Sequence, residues 1–285
     1  MKTEQQLIAD PSNTGQVGAW DGDEGAFWAT EAQRFDDSMT RYHGPFLGAA
    51  AVGSHDRVLD VGCGAGQTTR DVARLASNGT ALGVDLSSEM LARGRATAAA
   101  EGLDNVEFLH ADAQIQPFET AGFDVVISRM GSMFFGDPIT AFTNLGRALR
   151  PGGRLVLLAW QGLAENEWLT EFRAAMAVGR DLPAPPPDVP SPFALSEPDR
   201  VRTILGGAGF ADVTFEGLHE LMRFGSDHDD ALPFILGPTA WMLDGLDPAE
   251  REAALSALSA TIAEHIGDDG VTYRSAAWII RAHRP

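Results

Sequence analysis

Three glycines alternate through Val58-Leu59-Asp60-Val61-Gly62-Cys63-Gly64-Ala65-Gly66, directly after an apolar run that ends at Val61. The run reads as a buried strand, Arg57 to Val61. Glycines at a strand-to-helix turn take positive φ and let the backbone come close to a ligand. A helix is expected after the turn, from Gln67 to Leu75. Further short strands are expected at Ala81–Val84, Val106–Leu109, Val125–Ser128 and Leu155–Ala159, with amphipathic stretches between them. Ser87 and Ser88 suit the N-cap of one such helix, and Asp137-Pro138 starts another, with Phe142, Leu145 and Leu149 on one face. Pro151-Gly152-Gly153 is expected to stop it. Strands alternating with helices over 56–160 require an α/β fold with a mostly parallel sheet and helices on both faces.

The glycine spacing narrows the ligand. A dinucleotide fingerprint wants G-x-G-x-x-G, and its third glycine would fall on Gln67. The sequence offers G-x-G-x-G instead. Nineteen residues beyond Gly66, Asp85 closes the second strand, where a carboxylate can accept from both hydroxyls of an unphosphorylated ribose.

These residues resemble the class I S-adenosylmethionine-dependent methyltransferases, in the group similar to ubiquinone/menaquinone-biosynthesis methyltransferases. The first motif of that group matches Val58–Gly66, and its ribose-binding acid matches Asp85. Its adenine-contacting pair matches Asp112-Ala113, its fourth-strand motif Phe123–Ser128, and its post-helix motif Leu149–Gly153. The resemblance implies a Rossmann-like, seven-stranded sheet with the last strand antiparallel and S-adenosyl-L-methionine across the carboxyl ends of the first strands. On that reading Gly62, Gly64 and Gly66 admit the methionine moiety, and Asp112 takes the adenine amino group. Leu86, Met90 and Ala113 pack the adenine ring. Asp60 orders the turn and meets the ammonium through water, with the carbonyl of Ser128 or Arg129 as a second acceptor. Cys63 is a small filler. Methyl transfer needs alignment more than a fixed catalytic residue, so the motifs stop short of the acceptor.

Charge limits the acceptor. Lys plus Arg number 21 against 40 Asp plus Glu, a net charge of −19, which repels nucleic acid and anionic membranes. A small molecule is the expected partner; oligomeric state is not readable. Cys63 is the only cysteine, which excludes an internal disulfide and a multi-cysteine metal site, and no His/Asp pattern has metal-site spacing. Met1–Trp20 contains no apolar signal-like stretch, and the longest apolar run, Leu155–Trp160, is too short for a bilayer. A soluble, cytoplasmic protein is expected.

The flanks carry the acceptor candidates. Residues 1–45 are expected to form a helical cap contributing to the substrate site, and 46–165 the cofactor-binding core. Residues 166–197 read as a lid or insertion with a Pro-rich loop, since six of the sixteen prolines lie between Pro183 and Pro192. Residues 198–285 complete the sheet and the substrate site, with a helix from Asp199, a strand over Val213–Phe224 bent at Gly217, and a final strand over Ala276–Arg281. The helix after Asp247-Pro248 would share Leu255, Leu258, Ile262 and Ile266 on one face. Trp20, Trp28, Met130, Met133 and Phe134 are expected at the acceptor. Among seven histidines, His228 is the expected general base because Asp227, Asp229 and Asp230 flank it; Glu31, one helical turn from Trp28, is the alternative. The expected activity is methyl transfer to nitrogen, oxygen or carbon of a small aromatic or amine-bearing molecule in secondary metabolism. Its rivals are a nicotinamide-dependent oxidoreductase, which Gln67 disfavours, and a non-catalytic binder of S-adenosylmethionine.

Overall fold

The computed structural model of the protein describes residues 7–183 and 189–285. The chain opens with helices α1 (Thr14–Trp20), α2 (Asp23–Thr30), α3 (Ala32–Ser38) and α4 (Thr40–Ala50). Strands and helices then alternate as β1 (Arg57–Val61), α5 (Gln67–Leu75), β2 (Thr80–Asp85), α6 (Ser88–Ala100), β3 (Val106–His110), β4 (Phe123–Arg129), α7 (Pro138–Ala148) and β5 (Leu149–Trp160). The remainder comprises α8 (Glu167–Ala177), α9 (Pro198–Gly207), β6 (Ala211–Gly225), α10 (His228–Thr239), α11 (Pro248–Glu264), β7 (Ile266–Gly267) and β8 (Gly270–His283).

The strand order is β3-β2-β1-β4-β5-β8-β6, with β1 to β5 parallel and β8 antiparallel to both its neighbours. This is the expected seven-stranded sheet with an antiparallel last strand; the eighth strand, β7, is a two-residue partner of β8. Val58 and Leu59, Val125–Ile127 and Leu155–Leu158 are buried along their whole length, as central parallel strands covered on both faces must be. The strand order reverses between β1 and β4, which opens a crevice at their carboxyl ends.

Local signals held where they were short-range. Asp137 accepts a hydrogen bond from the Thr140 amide with Pro138 at the first helical position, and Ser87 caps α6 through the Met90 amide. Asp247 and Glu250 form a reciprocal capping box at α11.

Several expectations are corrected. The helix α7 ends at Ala148, and Pro151-Gly152-Gly153 lies inside β5, where the pairing with β4 slips between Phe123 and Val125. The bend in β6 is not at Gly217, which pairs in register with Trp278; the irregularities fall between Ala211 and Thr214 and between Arg223 and Gly225. Ile266 is exposed and belongs to β7, so the buried face of α11 runs through Ala254, Leu258 and Ile262. The expected boundary at residues 45/46 cuts through α4, whose Tyr42 and Phe46 are fully buried against the sheet. Tyr42 shares a 2.7 Å hydrogen bond with Ser275 of β8. Of the Pro-rich stretch, residues 184–188 lie outside the described residues.

Candidate active site

A cavity of about 730 Å3 opens at the carboxyl ends of β1, β2 and β4, and continues under α2, α3, α8 and α10. Its size is that of a site for one or two small molecules. One end is polar and the other aromatic.

The glycine turn forms the polar end. Gly62 has φ +65°, and a side chain there would lie 2.7 Å from the Gly131 backbone, so the turns after β1 and β4 pack back to back. Gly64 donates its amide to Asp85 Oδ2 at 2.7 Å, and the Ser87 amide donates to Asp85 Oδ1 at 2.9 Å. The Asp85 carboxylate is thereby fixed at the cavity wall. Burial pushes its pKa up, against the lowering effect of those amides. Gly66 also lines the cavity, but a Cβ there would lie 2.3 Å from the Phe108 ring; packing alone demands glycine at this position.

Among the described residues, two buried polar atoms at this end lack hydrogen-bond partners. Asp60 accepts from Thr69 Oγ1 at 2.7 Å through Oδ2, while Oδ1 has none. Burial pushes the Asp60 pKa up to about 6. The Thr68 hydroxyl, at the start of α5, is likewise unpartnered. Buried polar groups left unpaired are rare in folded proteins and mark places where a ligand completes the set. An aliphatic ammonium answers Asp60, and a carboxylate answers the Thr68 hydroxyl at a helix N-terminus. The glycine cradle and this donor set fit the amino-acid head of S-adenosylmethionine. Thr68 was missed from sequence, because nothing in its spacing distinguishes it from a helix surface threonine. Cys63 is buried, and burial raises its thiol pKa well above the usual range, in keeping with a filler.

Beyond Asp85, Leu86, Met90, Asp112 and Ala113 line the same wall. The Asp112 carboxylate is already engaged. Oδ1 accepts from Asn13 Nδ2 at 2.9 Å and from the Gln114 amide at 2.9 Å, and Oδ2 accepts from the Asp10 amide at 3.0 Å. The turn Pro11–Asn13 thus sits on the carboxylate expected to meet the adenine. Ser128 does not line the cavity; its hydroxyl donates to the Val61 carbonyl at 2.7 Å and accepts from the Ser132 amide, bracing the two turns. Arg129 does line it, and its side chain reaches Asp36 and Gln67.

The five expected acceptor residues all lie on this cavity. Trp20 meets Phe134 edge-on at 5.1 Å, and Trp28 meets Phe35 at 5.3 Å and Phe234 at 6.2 Å. Met133 is buried, and Met130 holds φ +60°, a left-handed conformation uncommon for a methionine and placed where β4 turns back. Trp160, Trp168, Phe172 and Phe224 complete the aromatic wall and were missed, since their periodicity is that of ordinary core. The two expected bases are corrected. Glu31 pairs with Arg34 at 3.1 Å and does not line the cavity. His228 stands in the first turn of α10 beside Asp229 at 3.0 Å, also off the cavity, because Asp227 caps that helix and turns the acidic segment to its outer end. Among the described residues no histidine, tyrosine or lysine lines the cavity.

Comparison with known proteins agrees with this geometry. Residues 58–153 match a family model described as a methyltransferase domain. An uncharacterized protein of Mycobacterium tuberculosis is 36% identical over 185 residues, 64% of either chain, so this chain spans less than two thirds of that relative's length. A demethylmenaquinone methyltransferase of Thermus thermophilus is 40% identical over 102 residues, covering 36% of this chain and 46% of its own. The YcgJ protein of Bacillus subtilis superposes with a TM-score of 0.58 at 18% identity, over 86% of this chain and 98% of its own, and shares the fold. No described helix is long and apolar enough to cross a membrane. The methyltransferase model covers the glycine turn, Asp85 and Asp112, and the strand order is that of the fold, so residues 58–153 carry a methyltransferase domain of the class I S-adenosylmethionine-dependent type.

Proposed function

We propose that the protein methylates a small, largely apolar molecule held in the aromatic half of the cavity. The observation that carries this reading is one continuous cavity with a polar cradle at Asp60, Gly64 and Asp85 and an aromatic chamber at Trp28, Trp168 and Phe234. S-adenosylmethionine supplies a methyl group on a sulfonium centre, transferred in line while sulfur keeps the bonding electron pair. Asp60 and Thr68 hold the amino-acid head, Asp85 accepts from the ribose, and Leu86, Met90 and Ala113 sandwich the adenine. Met130 and Met133 line the same cavity and shape the approach of the acceptor. The aromatic walls exclude water and fix the angle of attack, a proximity effect.

Among the described residues, the chamber offers no imidazole or phenol to take a proton. Acceptors that attack without losing a proton, or that arrive ionised, therefore suit it best. Trp28, Trp168, Phe172, Phe224 and Phe234 of its wall come from the flanks rather than from the cofactor motifs, which supports a specialised role in secondary metabolism. The demethylmenaquinone methyltransferase matches only 102 residues, 36% of this chain, so it carries no acceptor assignment to it.

Calorimetric titration with S-adenosylhomocysteine, with NADH as control, tests the cofactor assignment; micromolar binding of the first and none of the second is expected. Binding of NADH alone would overturn it. Turnover is then sought with radiolabelled S-adenosylmethionine and apolar phenol, carboxylic acid, indole and amine acceptors. Cofactor binding without turnover on any class would favour the non-catalytic reading.

A further inference from the structure

Among the described residues, the aromatic chamber holds one cation with no carboxylate partner. Two arginines line the cavity, Arg129 and Arg173. Arg129 is matched by Asp36 at 2.6 Å. Arg173 stands on the face of α8 that presents Leu169 and Phe172 to the same cavity, and among the described residues no carboxylate lies within ion-pair distance of it. Its Nη2 donates to the Leu182 carbonyl at 2.6 Å and its Nη1 to the Pro183 carbonyl at 3.2 Å. Two neutral carbonyls orient the guanidinium plane and leave its charge intact. Three of its five N–H groups remain unused.

The acids on the cavity are placed differently. Asp60, Asp85 and Asp112 stand at or just beyond the ends of β1, β2 and β3, and Asp36 is bound to Arg129. Glu24 lies on α2 beside Gly25, where an added Cβ would run into the Trp20 carbonyl and Ser87 Oγ, so this part of α2 packs on the cofactor end. Apart from Glu24 at the cofactor end, an ammonium entering the chamber would find no unpaired carboxylate among the described residues of its aromatic side, whereas an anion would find an oriented guanidinium. Fixed geometry matters here, because a planar fork held in place loses little freedom when it grips a carboxylate at two points. The surrounding net charge of −19 makes an anion unlikely to collect in the chamber without such a receptor.

We infer that the acceptor is an anionic apolar molecule, with a carboxylate or an equally acidic oxygen group seated on Arg173, and that amine-bearing acceptors are disfavoured. The inference rests on the proposed methyltransferase reading and goes beyond it by fixing the charge of the acceptor.

The test uses the full-length protein saturated with S-adenosylhomocysteine and two matched probes, 6-hydroxy-2-naphthoate and its carboxamide. Calorimetry is expected to show the carboxylate binding about tenfold tighter or better, the usual scale for a charge-assisted hydrogen-bonded contact. In Arg173→Met the ratio is expected to fall to about one through loss of carboxylate affinity, and in Arg173→Lys part of the preference returns. A merely structural role, clamping Leu182 and Pro183, would weaken both probes together and leave the ratio unchanged. Equal binding of the two probes by the native protein, tighter binding of the carboxamide, or no binding of either overturns the inference. Should S-adenosylhomocysteine itself fail to bind in the first step, the methyltransferase reading falls instead, so the two failures are distinguishable.

Discussion

Arg129 Nη2 lies 2.6 Å from Asp36 Oδ1, joining the end of β4 to helix α3 of the N-terminal cap across 93 residues of sequence. The pair is almost wholly buried, and the guanidinium also donates to Gln67 Oε1 at 2.9 Å and lies over the Phe35 ring. Strand end, glycine-turn helix and cap are therefore tied at one point on the cavity wall. Breaking such a pair strands a charge in low dielectric, at a cost of about 3–5 kcal/mol. Asp36→Ala is expected to lose stability on that scale in urea unfolding. The double substitution Asp36→Leu with Arg129→Met is expected to recover most of it. Additive losses in the two single variants and the double variant would show that the pair contributes nothing as a unit.

Asp60 gives the cavity a pH response. Its folded-state pKa is about 6, above the unfolded value of 3.8, so the folded chain holds this proton more tightly. The folded state is thus favoured at low pH, and that contribution is lost as pH rises through about 6. A bound ammonium needs the ionised form, so affinity for S-adenosylhomocysteine should move the other way, rising with pH and levelling above about 6. At one pH unit below that point it should be about tenfold weaker than the plateau. Asp85 also titrates upward, which adds to the same trend. The decisive comparison is therefore with Asp60→Asn, expected to bind more weakly at pH 7.5 and with a flatter profile from pH 5 to 7.

The glycines separate packing from ligand approach. In Gly66→Ala the new methyl would sit 2.3 Å from the Phe108 ring at φ +75°, so both overpacking and left-handed strain apply. A loss of about 3 kcal/mol in stability is expected, from the sum of those two costs. In Gly64→Ala the nearest atom is the flexible Met90 Cε at 3.0 Å, and the strain at φ +55° stands alone. Thermal melts should show a smaller loss, about 1 kcal/mol, while cofactor affinity falls. The reverse ranking of the two melts would mean that Phe108 yields freely.

The strand β1 and helix α5 were legible to the residue, Arg57–Val61 and Gln67–Leu75, because apolar runs and glycine punctuation act over a few residues. Asp60, Gly64, Asp85, Asp112 and Arg129 were legible as cavity residues, since a shared motif fixes their place on strand ends. What each carboxylate touches was not. The union of Asp112 with Asn13 and of Arg129 with Asp36 depends on how the cap lands, and no local spacing encodes that. His228 was misread for a related reason. Acidic neighbours look like a tuned base in one dimension, yet here they are the cap and first turn of α10. The wall formed by Trp160, Trp168 and Phe224 was invisible because a residue lining a cavity and one filling a core obey the same hydrophobic pattern.

His228→Ala and Glu31→Gln are both expected to keep full turnover at neutral pH. Neither residue lines the cavity, and Glu31 braces Arg34, whose Nη2 pairs with Asp230 at 3.1 Å. Removing one partner of a partly exposed pair costs about 1 kcal/mol or less. A hundredfold fall in turnover for either variant, with melting unchanged, would require that the cap move enough to bring that side chain to the acceptor.

Asn13 closes the Asp112 end of the cavity. Its Nδ2 donates to Asp112 Oδ1 at 2.9 Å, and its Oδ1 accepts from the Gly136 amide at 3.1 Å, so one side chain bridges the turn after β3 to the turn before α7. The fit is close: a Cβ on Gly136 would lie 2.1 Å from the Ser12 carbonyl oxygen. If the adenine lies against Asp112, the segment Asp10–Asn13 stands at its exit and must shift for exchange. Asn13→Ala removes both hydrogen bonds, leaving the Gly136 amide without its partner and Asp112 Oδ1 with the Gln114 amide alone, a change of about 1–3 kcal/mol. Stopped-flow displacement of S-adenosylhomocysteine is expected to show dissociation at least tenfold faster, with association altered little, since contacts that form after entry act mainly on release. Asp112→Asn, which keeps one oxygen acceptor, is expected to fall between the two. Unchanged dissociation in Asn13→Ala would place the exit elsewhere on the cavity and leave the Asn13 bridge a purely structural link.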